Sequence, residues 1–402
     1  MTLENNIIND DCRSYLKNSI EDNSIDLVYL DPPFFSQKEY SATNRRTNQT
    51  FSFSDKFTSL EEYIELMSTT LYECKRVLKK TGSIFLHCDK YASHYLRIIL
   101  EKIFEEKNFQ SEIIWNYRRW SNSKKGLLNS HQNIYFFSKS EDFKFNSIYT
   151  DYSPTTNVDQ ILQEREKTPD GKSVYKRDKN GNIVECKEKK GVPLSDVWDI
   201  PYLNPKAKER CGYPTQKPIE LLKRIIQIST SESDLVLDPF CGSGTTCVAA
   251  KALNRNFIGI DINPEAVKLA KKRINEMIIT SSTLLKKGKD AYIEKSENEL
   301  ALLKLLNAIP VQRNSGIDGF IQNDLFDKNI PVKIQKKSES IEEAISKLEK
   351  ASEKRDFPIK ILIQTNLKHE NTLIDTNNYS DIKFIKAPSL QTQDYINQYY
   401  EN

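Results

Sequence analysis

The sequence contains no uninterrupted apolar run approaching the eighteen or so residues that a membrane-spanning helix needs. Charged residues occupy 29% of its 402 positions and hydrophobic ones 38%, so a soluble protein without a membrane partner is expected. The opening residues, MTLENNIINDD, carry neither a basic stretch nor an apolar core, and a secretory leader is not expected. A cytoplasmic setting follows. The seven cysteines are scattered and form no CxxC pair, which argues against both a disulfide framework and a zinc site. No metal is expected. Charge of one sign is also lacking: 59 Lys+Arg face 56 Asp+Glu, a net of +3, too little to indicate nucleic acid by itself. Repeats and low-complexity tracts are absent, so the length is that of two or three ordinary domains of about 150 residues each. A peptide or a single small binding module is excluded.

The charge is unevenly distributed. Residues 115–212 carry 18 Lys+Arg against 13 Asp+Glu, whereas residues 281–402 carry 18 of each. The middle of the chain is the basic territory and could face phosphates. A solvated, lysine-rich loop region accounts for the same count.

Residues 25–30, IDLVYL, form an apolar, β-branched and aromatic run that ends abruptly at Asp31-Pro32-Pro33-Phe34, the pattern of a buried strand entering a loop. Residues 60–80 place Tyr63, Met67, Leu71 and Cys74 at helical spacing, with Gly82 as the expected stop. SIFLHCD (83–89) predicts a second buried strand, followed by a helix over roughly 91–106 and a strand near 111–116. From 117 to 205 the pattern loosens, and Pro169-Asp170-Gly171 and Asn180-Gly181-Asn182 predict small hairpins. Regularity returns with a helix over 218–230, a strand DLVLDPF (234–240), a glycine loop feeding a helix, a strand NFIGIDI (256–262) and a helix over 264–278. Strand, loop, helix, strand is a βαβ unit, so parallel α/β structure is predicted.

Phe240-Cys241-Gly242-Ser243-Gly244 lies between a strand and a helix, where missing side chains let a ligand approach the backbone. Asp238 precedes it, and Asp261 ends the next strand at the spacing of a ribose-binding carboxylate. No third glycine stands in GxGxxG register and no GK[ST] follows, which disfavours a dinucleotide or a P-loop phosphate site. Carboxylates around a glycine loop suit a cationic ligand; an ordinary strand-to-helix turn is the alternative. Asp31-Pro32-Pro33-Phe34 combines a carboxylate, a backbone carbonyl made rigid by proline and an aromatic face, a set that fits an exocyclic amine on a flat heterocycle. Alone, it also fits a Pro-Pro loop that closes a buried strand.

Together, DPPF and DPFCGSGTT resemble the S-adenosylmethionine-dependent amino-methyltransferases of DNA, and the likeness extends over residues 5–278. Asp11-Cys12, SIFLHCD, Tyr213-Pro214-Thr215-Gln216-Lys217-Pro218 and GIDINPE (259–265) are similar to the family pattern as well. With DPPF first, a variable region next and the glycine loop last, the order resembles the β class. The resemblance implies a Rossmann-like seven-stranded methyltransferase sheet with circularly permuted motifs. Residues 1–116 would form the catalytic half, 117–205 a target-recognition insertion, 206–282 the cofactor-binding half and 283–402 a small C-terminal α/β accessory domain.

It further implies that Phe240, Gly242 and Gly244 line the methionine part of the cofactor, that Asp261 holds its ribose, that Asp11 faces its adenine and that Asp31 and Asp238 belong to the same cofactor-binding set. Thr215, Gln216 and Lys217 would cover the methionine carboxylate. Asp31 and the Pro32 carbonyl would grip the target amine within the Asp31, Pro32, Pro33, Phe34 loop, and Phe34 would stack on the flipped base. His87 and Asp89 are candidates for the target-base pocket, although a strand-end histidine can equally be structural. Arg118, Arg119, Trp120, Lys124 and Lys125 are candidates for DNA contacts. Asp at the first DPPF position resembles the N6-adenine members more than the N4-cytosine ones. The expected activity is therefore site-specific adenine methylation of duplex DNA in a restriction-modification or epigenetic system. The expected partners are double-stranded DNA, a second copy of the chain and a cognate restriction endonuclease, and the expected location is the nucleoid. Cytosine N4 methylation is the alternative; an RNA or protein N-methyltransferase and a non-catalytic DNA-binding protein are more distant ones.

In the tail, GIDGF (316–320) and PVKIQ (331–335) resemble a PD-(D/E)xK nuclease core in which Pro331 stands where Glu or Gln would precede Lys333. That replacement points to an accessory domain without an active metal site.

Overall fold

The structure, a computed structural model, describes residues 4–43, 48, 50–117, 125–150, 163–184, 191–203, 207–279, 295–312, 314–322, 329–353, 355, 357–366 and 379–401. The chain divides into two compact units, Met1–Gly288 and Lys289–Asn402. Among the described residues no helix is long and apolar enough to cross a membrane.

The first unit begins with strand β1 (Asn6–Asn9), helix α1 (Cys12–Ser19) and strand β2 (Ile25–Leu30). A hairpin of β3 (Lys38–Thr43) and β4 (Thr50–Asp55) follows, then α2 (Leu60–Val77), β5 (Leu78–Cys88), α3 (Ser93–Phe104), β6 (Phe109–Asn116) and β7 (His131–Ser138). Short strands come next: β8 (Tyr149–Thr150), β9 (Arg165–Lys167), β10 (Ser173–Tyr175), β11 (Val192–Pro193) and β12 (Val197–Asp199). Last are α4 (Ile219–Ser229), β13 (Leu235–Asp238), α5 (Thr245–Ala252), β14 (Asn256–Asp261) and α6 (Pro264–Asn275).

Eight strands pair in the order β1-β14-β13-β2-β5-β7-β6-β12. Those from β1 to β5 are parallel, β7 runs antiparallel to both neighbours, and β12 is parallel to β6. Every residue of β2 is buried, and its side chains alternate between two cores. Leu27 and Tyr29 join Leu222, Ile225, Val248 and Ala270 of α4, α5 and α6. Val28 and Leu30 join Leu16, Met67, Leu71 and Leu96 of α1, α2 and α3. Helices on both faces explain why the strand reads as a continuous apolar run instead of an alternating one. Each fully buried Leu, Ile or Phe contributes about 1.5–3 kcal/mol.

Three expectations change. The sheet has eight strands, not seven, and two of them lie inside the stretch assigned to an insertion. Strand β7 lies inside the sheet between β5 and β6, and β12 forms its edge, where Trp115 Nε1 donates to the Ile200 carbonyl at 2.7 Å and Trp198 is buried. Helix α2 ends at Val77, and Gly82 lies within β5 instead of capping the helix. There, a Cβ on Gly82 would stand 3.0 Å from the Asp26 carbonyl oxygen, at the point where the β2–β5 register shifts. A close backbone approach, not a helix stop, requires that glycine. The two predicted turns do close small structures: β9 pairs with β10, and Arg177 bridges to Ile183.

The second unit holds α7 (Glu297–Leu305), β15 (Ala308–Pro310), β16 (Gly319–Ile321), β17 (Ile330–Ile334), α8 (Ile341–Ser352), β18 (Lys360–Gln364), β19 (Ile382–Lys386) and α9 (Pro388–Glu401). Its five strands pair in sequence order. Asp318, fully buried before β16, is paired with Lys295, Lys333 and Lys336, and Lys333 also reaches Glu339 at 3.1 Å. Lysines thus surround the carboxylate that the nuclease-like motif singles out. Among the described residues no group of three or more His, Cys, Asp or Glu is arranged to hold a metal.

Gly259 of β14 is a sensitive point in the first unit, because a Cβ there would meet Ile7 Cδ1 at 2.6 Å, Cys247 Sγ at 2.8 Å and Cys241 Cβ at 3.1 Å. Gly259→Val is expected to lower stability by about 1–3 kcal/mol through overpacking. Thermal melting checks it; an unchanged midpoint would contradict the close packing.

Candidate active site

From β2 the chain moves through α2 to β5 on one side, and from β13 it moves through α5 to β14 on the other. The order therefore reverses between the neighbours β13 and β2. Loops leaving their carboxyl ends diverge, which opens a crevice where ligands bind in α/β sheets. A cavity of about 970 Å³ occupies that edge, and Asp31, Phe34, Asp55, Tyr213, Phe240 and Asp261 are among the residues that line it.

Asp31 is the first residue after β2. Its Oδ2 accepts a hydrogen bond from the Lys217 ammonium, and its Oδ1 is buried without a hydrogen-bond partner among the described residues. Burial raises the Asp31 carboxyl above the ordinary range, opposed by the attraction of Lys217. Lys217 is itself 5% exposed and stands 5.5 Å from the centroid of the Phe34 ring. Tyr63 of α2 donates to the Pro33 carbonyl at 3.0 Å, so that acceptor is engaged.

Beyond Phe34 the backbone is strained, with Phe35 and Gln37 both at φ 58°. Left-handed conformations of this kind cost about 1–3 kcal/mol each and persist only where neighbours enforce them. Asp55, at the end of β4, supplies the enforcement. Its carboxylate accepts from the Phe35 and Ser36 backbone N–H groups at 3.0 and 2.9 Å and from Ser36 Oγ at 2.5 Å. The β3–β4 hairpin thus returns to clamp the loop that carries Phe34.

The glycine loop after β13 is held by carboxylates. Asp238 Oδ1 accepts from the Phe240 N–H at 3.1 Å and Oδ2 from Thr246 Oγ1 at 2.5 Å. Asp261 Oδ2 accepts from the Gly242 N–H and Oδ1 from the Asn263 N–H, both at 2.8 Å. Each Asp261 oxygen keeps a further lone pair for a ligand hydroxyl. Gly242 has φ +49°, and a Cβ on it would press on the Tyr213 ring at 3.2 Å. Gly244 stands apart from the expected set: it is not among the cavity-lining residues, and a Cβ there would meet Ala270 Cβ of α6 at 2.7 Å. It serves close packing between helices. Arg273 of α6 braces the same loop through Ser243 O at 2.7 Å and Thr245 Oγ1 at 3.0 Å.

The remaining candidates divide. Asp11 lines the cavity, caps α1 through the Arg13 and Ser14 N–H groups and pairs with the Arg13 guanidinium, which lowers its carboxyl. Thr215, at φ 63°, is an exposed lining residue. Gln216 uses both ends of its amide within its own loop, accepting from Cys211 N at 2.9 Å and donating to the Glu209 carbonyl at 2.9 Å. Asp89 lines the cavity and is raised by burial. His87 is fully buried and is not a lining residue; its nitrogens contact Tyr29 and Gln132. Arg118, Arg119, Trp120 and Lys124 fall outside the described residues, whereas Lys125 is exposed. Asp55, Tyr29 and Gln132 were not anticipated.

The pattern of the DNA methylase family matches residues 25–272. The chain is 34% identical over 261 residues to the type II methyltransferase M.HpaI of Haemophilus parainfluenzae, covering 65% of this chain and 71% of that protein. It is 30% identical over 278 residues to the type II methyltransferase M.HinfI of Haemophilus influenzae, covering 68% and 69%. It is 33% identical over 270 residues to the DNA adenine methyltransferase YhdJ of Escherichia coli (strain K12), covering 67% and 82%.

Burial lifts the Asp238 carboxyl from 3.8 to about 7, against the hydrogen bonds from Thr246 and Phe240. The folded protein therefore holds this proton more tightly than the unfolded chain, and the stability it contributes is lost as pH rises from about 4 through about 7. Asp238→Asn should remove that slope, gaining up to roughly 4 kcal/mol relative to wild type across the interval. Urea unfolding of the ligand-free protein at the two ends of the range checks this; parallel stability curves for the two proteins would contradict it.

Proposed function

The chain belongs to the DNA methylase family, and on that premise we propose that it transfers a methyl group from S-adenosylmethionine to the N6 amine of adenine in double-stranded DNA. The observation that carries the reading is Asp31, a half-buried carboxylate beside an aromatic residue, with one oxygen held by Lys217 and the other buried and, among the described residues, without a hydrogen-bond partner.

The cavity fits the cofactor. Gly242 leaves space beside Tyr213 that a Cβ would fill, and the lining carboxylates favour a ligand that carries a positive charge. Phe240 and Gly242 would border its methionine part, Asp261 its ribose and Asp11 its adenine. Thr215 would cover the amino-acid end. When bound, S-adenosylmethionine supplies an electrophilic methyl group on a sulfonium.

Adenine N6 is a weak nucleophile because its lone pair is delocalised into the ring. Asp31 Oδ1 and the Pro32 carbonyl accept its two N–H bonds, favouring the pyramidal nitrogen and offsetting the positive charge that develops on it. The Pro33 carbonyl, engaged by Tyr63, does not compete for this role. The attraction of Lys217 favours the ionised form of Asp31 against its burial, and Phe34 supplies the face on which the extruded base stacks. Taking that base out of the duplex costs roughly a few kcal/mol, which contacts in the pocket offset. The same carboxylate, raised by burial, can receive the proton that N6 gives up.

Asp at the head of the DPPF loop and the adenine relative support adenine over cytosine. The type II relatives support a restriction-modification setting. A cognate endonuclease, pairing of two copies and DNA contact through Arg118, Arg119, Trp120, Lys124 and Lys125 belong to the same proposal. The C-terminal unit is read as an accessory to DNA contact or pairing.

Modification-sensitive sequencing of DNA from cells that express the protein tests the function. Wild type should produce one methylated motif, and Asp31→Asn should reduce it by roughly a hundredfold or more, the size of effect seen when an aligned electrostatic group is lost. No new motif, or an equal signal from the variant, would sink the reading.

A further inference from the structure

The unpartnered Oδ1 of Asp31 has a cause in the layer beneath the cavity. His87 of β5 lies there, with Nδ1 2.9 Å from Tyr29 Oη of β2 and Nε2 3.0 Å from Gln132 Oε1 of β7. Nδ1 stands 4.0 Å from Asp31 Oδ1, beyond hydrogen-bond range.

These contacts select one tautomer. A buried phenol O–H needs an acceptor, and among the described residues the His87 Nδ1 lone pair is the one within reach of Tyr29. Nδ1 then carries no proton, so Nε2 does, and it donates to the Gln132 carbonyl oxygen. The reversed tautomer would turn an N–H toward Tyr29 and leave the phenol proton without an acceptor. We propose that Gln132 and Tyr29 are positioning residues acting through His87: they hold its imidazole as the Nε2–H tautomer, so that no donor engages Asp31 Oδ1 and that oxygen stays available to the target amine. This rests on the reading of Asp31 as the amine acceptor.

The surroundings agree. A buried acceptor without a partner is destabilising and calls for an explanation in function. Facing His87 are Tyr29 and Asp31 from β2 and its exit, Phe34 at 6.1 Å between ring centroids, Trp115 of β6 at 5.4 Å, Gln132 of β7 and the charge of Lys217 ahead of α4. Burial and Lys217 hold the imidazole well below its usual pKa, against the hydrogen bond with Gln132, which opposes that shift. Gln132 can occupy this place because β7 runs antiparallel to β5, with His87 opposite Ile134, which brings the start of β7 to the same sheet edge as the end of β5.

Gln132→Glu tests the arrangement. A carboxylate at Nε2 favours the doubly protonated ring, whose Nδ1–H can then turn to Asp31 and take up the free oxygen. Single-turnover methylation by the variant should show an acidic limb at higher pH than any limb of the wild type. Its rate should fall by about tenfold or more near pH 6.5 and recover toward wild type as the ring deprotonates, with the cofactor KM within about twofold. Equal pH profiles, or a loss uniform across pH, would overturn the proposal. Nitrogen-15 NMR of histidine-labelled wild-type protein, which has four histidines, needs no variant. It should show His87 neutral with the proton on Nε2, and a proton on Nδ1 would overturn the proposal outright. If wild type itself transfers no methyl group to DNA, the acceptor reading of Asp31 fails first and takes this role with it. An active wild type with an unaffected Gln132→Glu variant removes the positioning role alone.

Discussion

Everything at the site follows from one strand pairing. Strand β13 hydrogen-bonds to β2 through Val236 opposite Leu27 and Leu237 opposite Val28, although some two hundred residues separate them in the chain. Because β2 continues to one side and β13 to the other, their exits diverge and leave a crevice. Asp31 with Phe34 and Asp238 with Phe240 emerge there together, so that on the proposed reading a methyl donor beside one loop and an acceptor amine beside the other can meet. Motif order along the chain is then of little consequence to the chemistry, because the sheet restores the neighbourhood.

The crevice is built from carboxylates, and each is under constraint. Asp31, Asp89, Asp238 and Asp261 are all raised by burial, while Asp55 and Asp238 accept hydrogen bonds that fix the two loops. Such a wall suits a cationic cofactor and an amine with N–H groups to donate, and it disfavours a phosphate. Lys217 is the counterweight, since it pairs with Asp31 where an uncompensated buried carboxylate would tend to take up a proton. Strain at Phe35 and Gln37 adds a second constraint, absorbed by the β3–β4 hairpin through Asp55.

Much of this was legible in the sequence, for physical reasons. Strand β2 ends where Asp31 meets two prolines, and β13 ends at Asp238 before the glycines, so both motif loops could be located by abrupt loss of strand-forming residues. Asp261 could be anticipated from its place at the end of the following strand. What stayed hidden depends on long-range partners. Gly82 reads as a helix stop until the Asp26 carbonyl is seen against it, and Gly244 reads as a ligand position until Ala270 is found there. Strand β7 was lost in a stretch that reads as loops, though HQNIYFFS is apolar enough to cross a sheet. Asp55 and Gln132 carry no local mark, because their partners lie 19 or 20 and 45 residues away.

Methyl transfer with purified components tests the central claim most directly. Full-length protein, S-adenosylmethionine labelled in its methyl group and duplex DNA would be incubated together, and the DNA digested to nucleosides and separated. The account predicts label in N6-methyladenine. Label confined to N4-methylcytosine, or DNA without label, would contradict it.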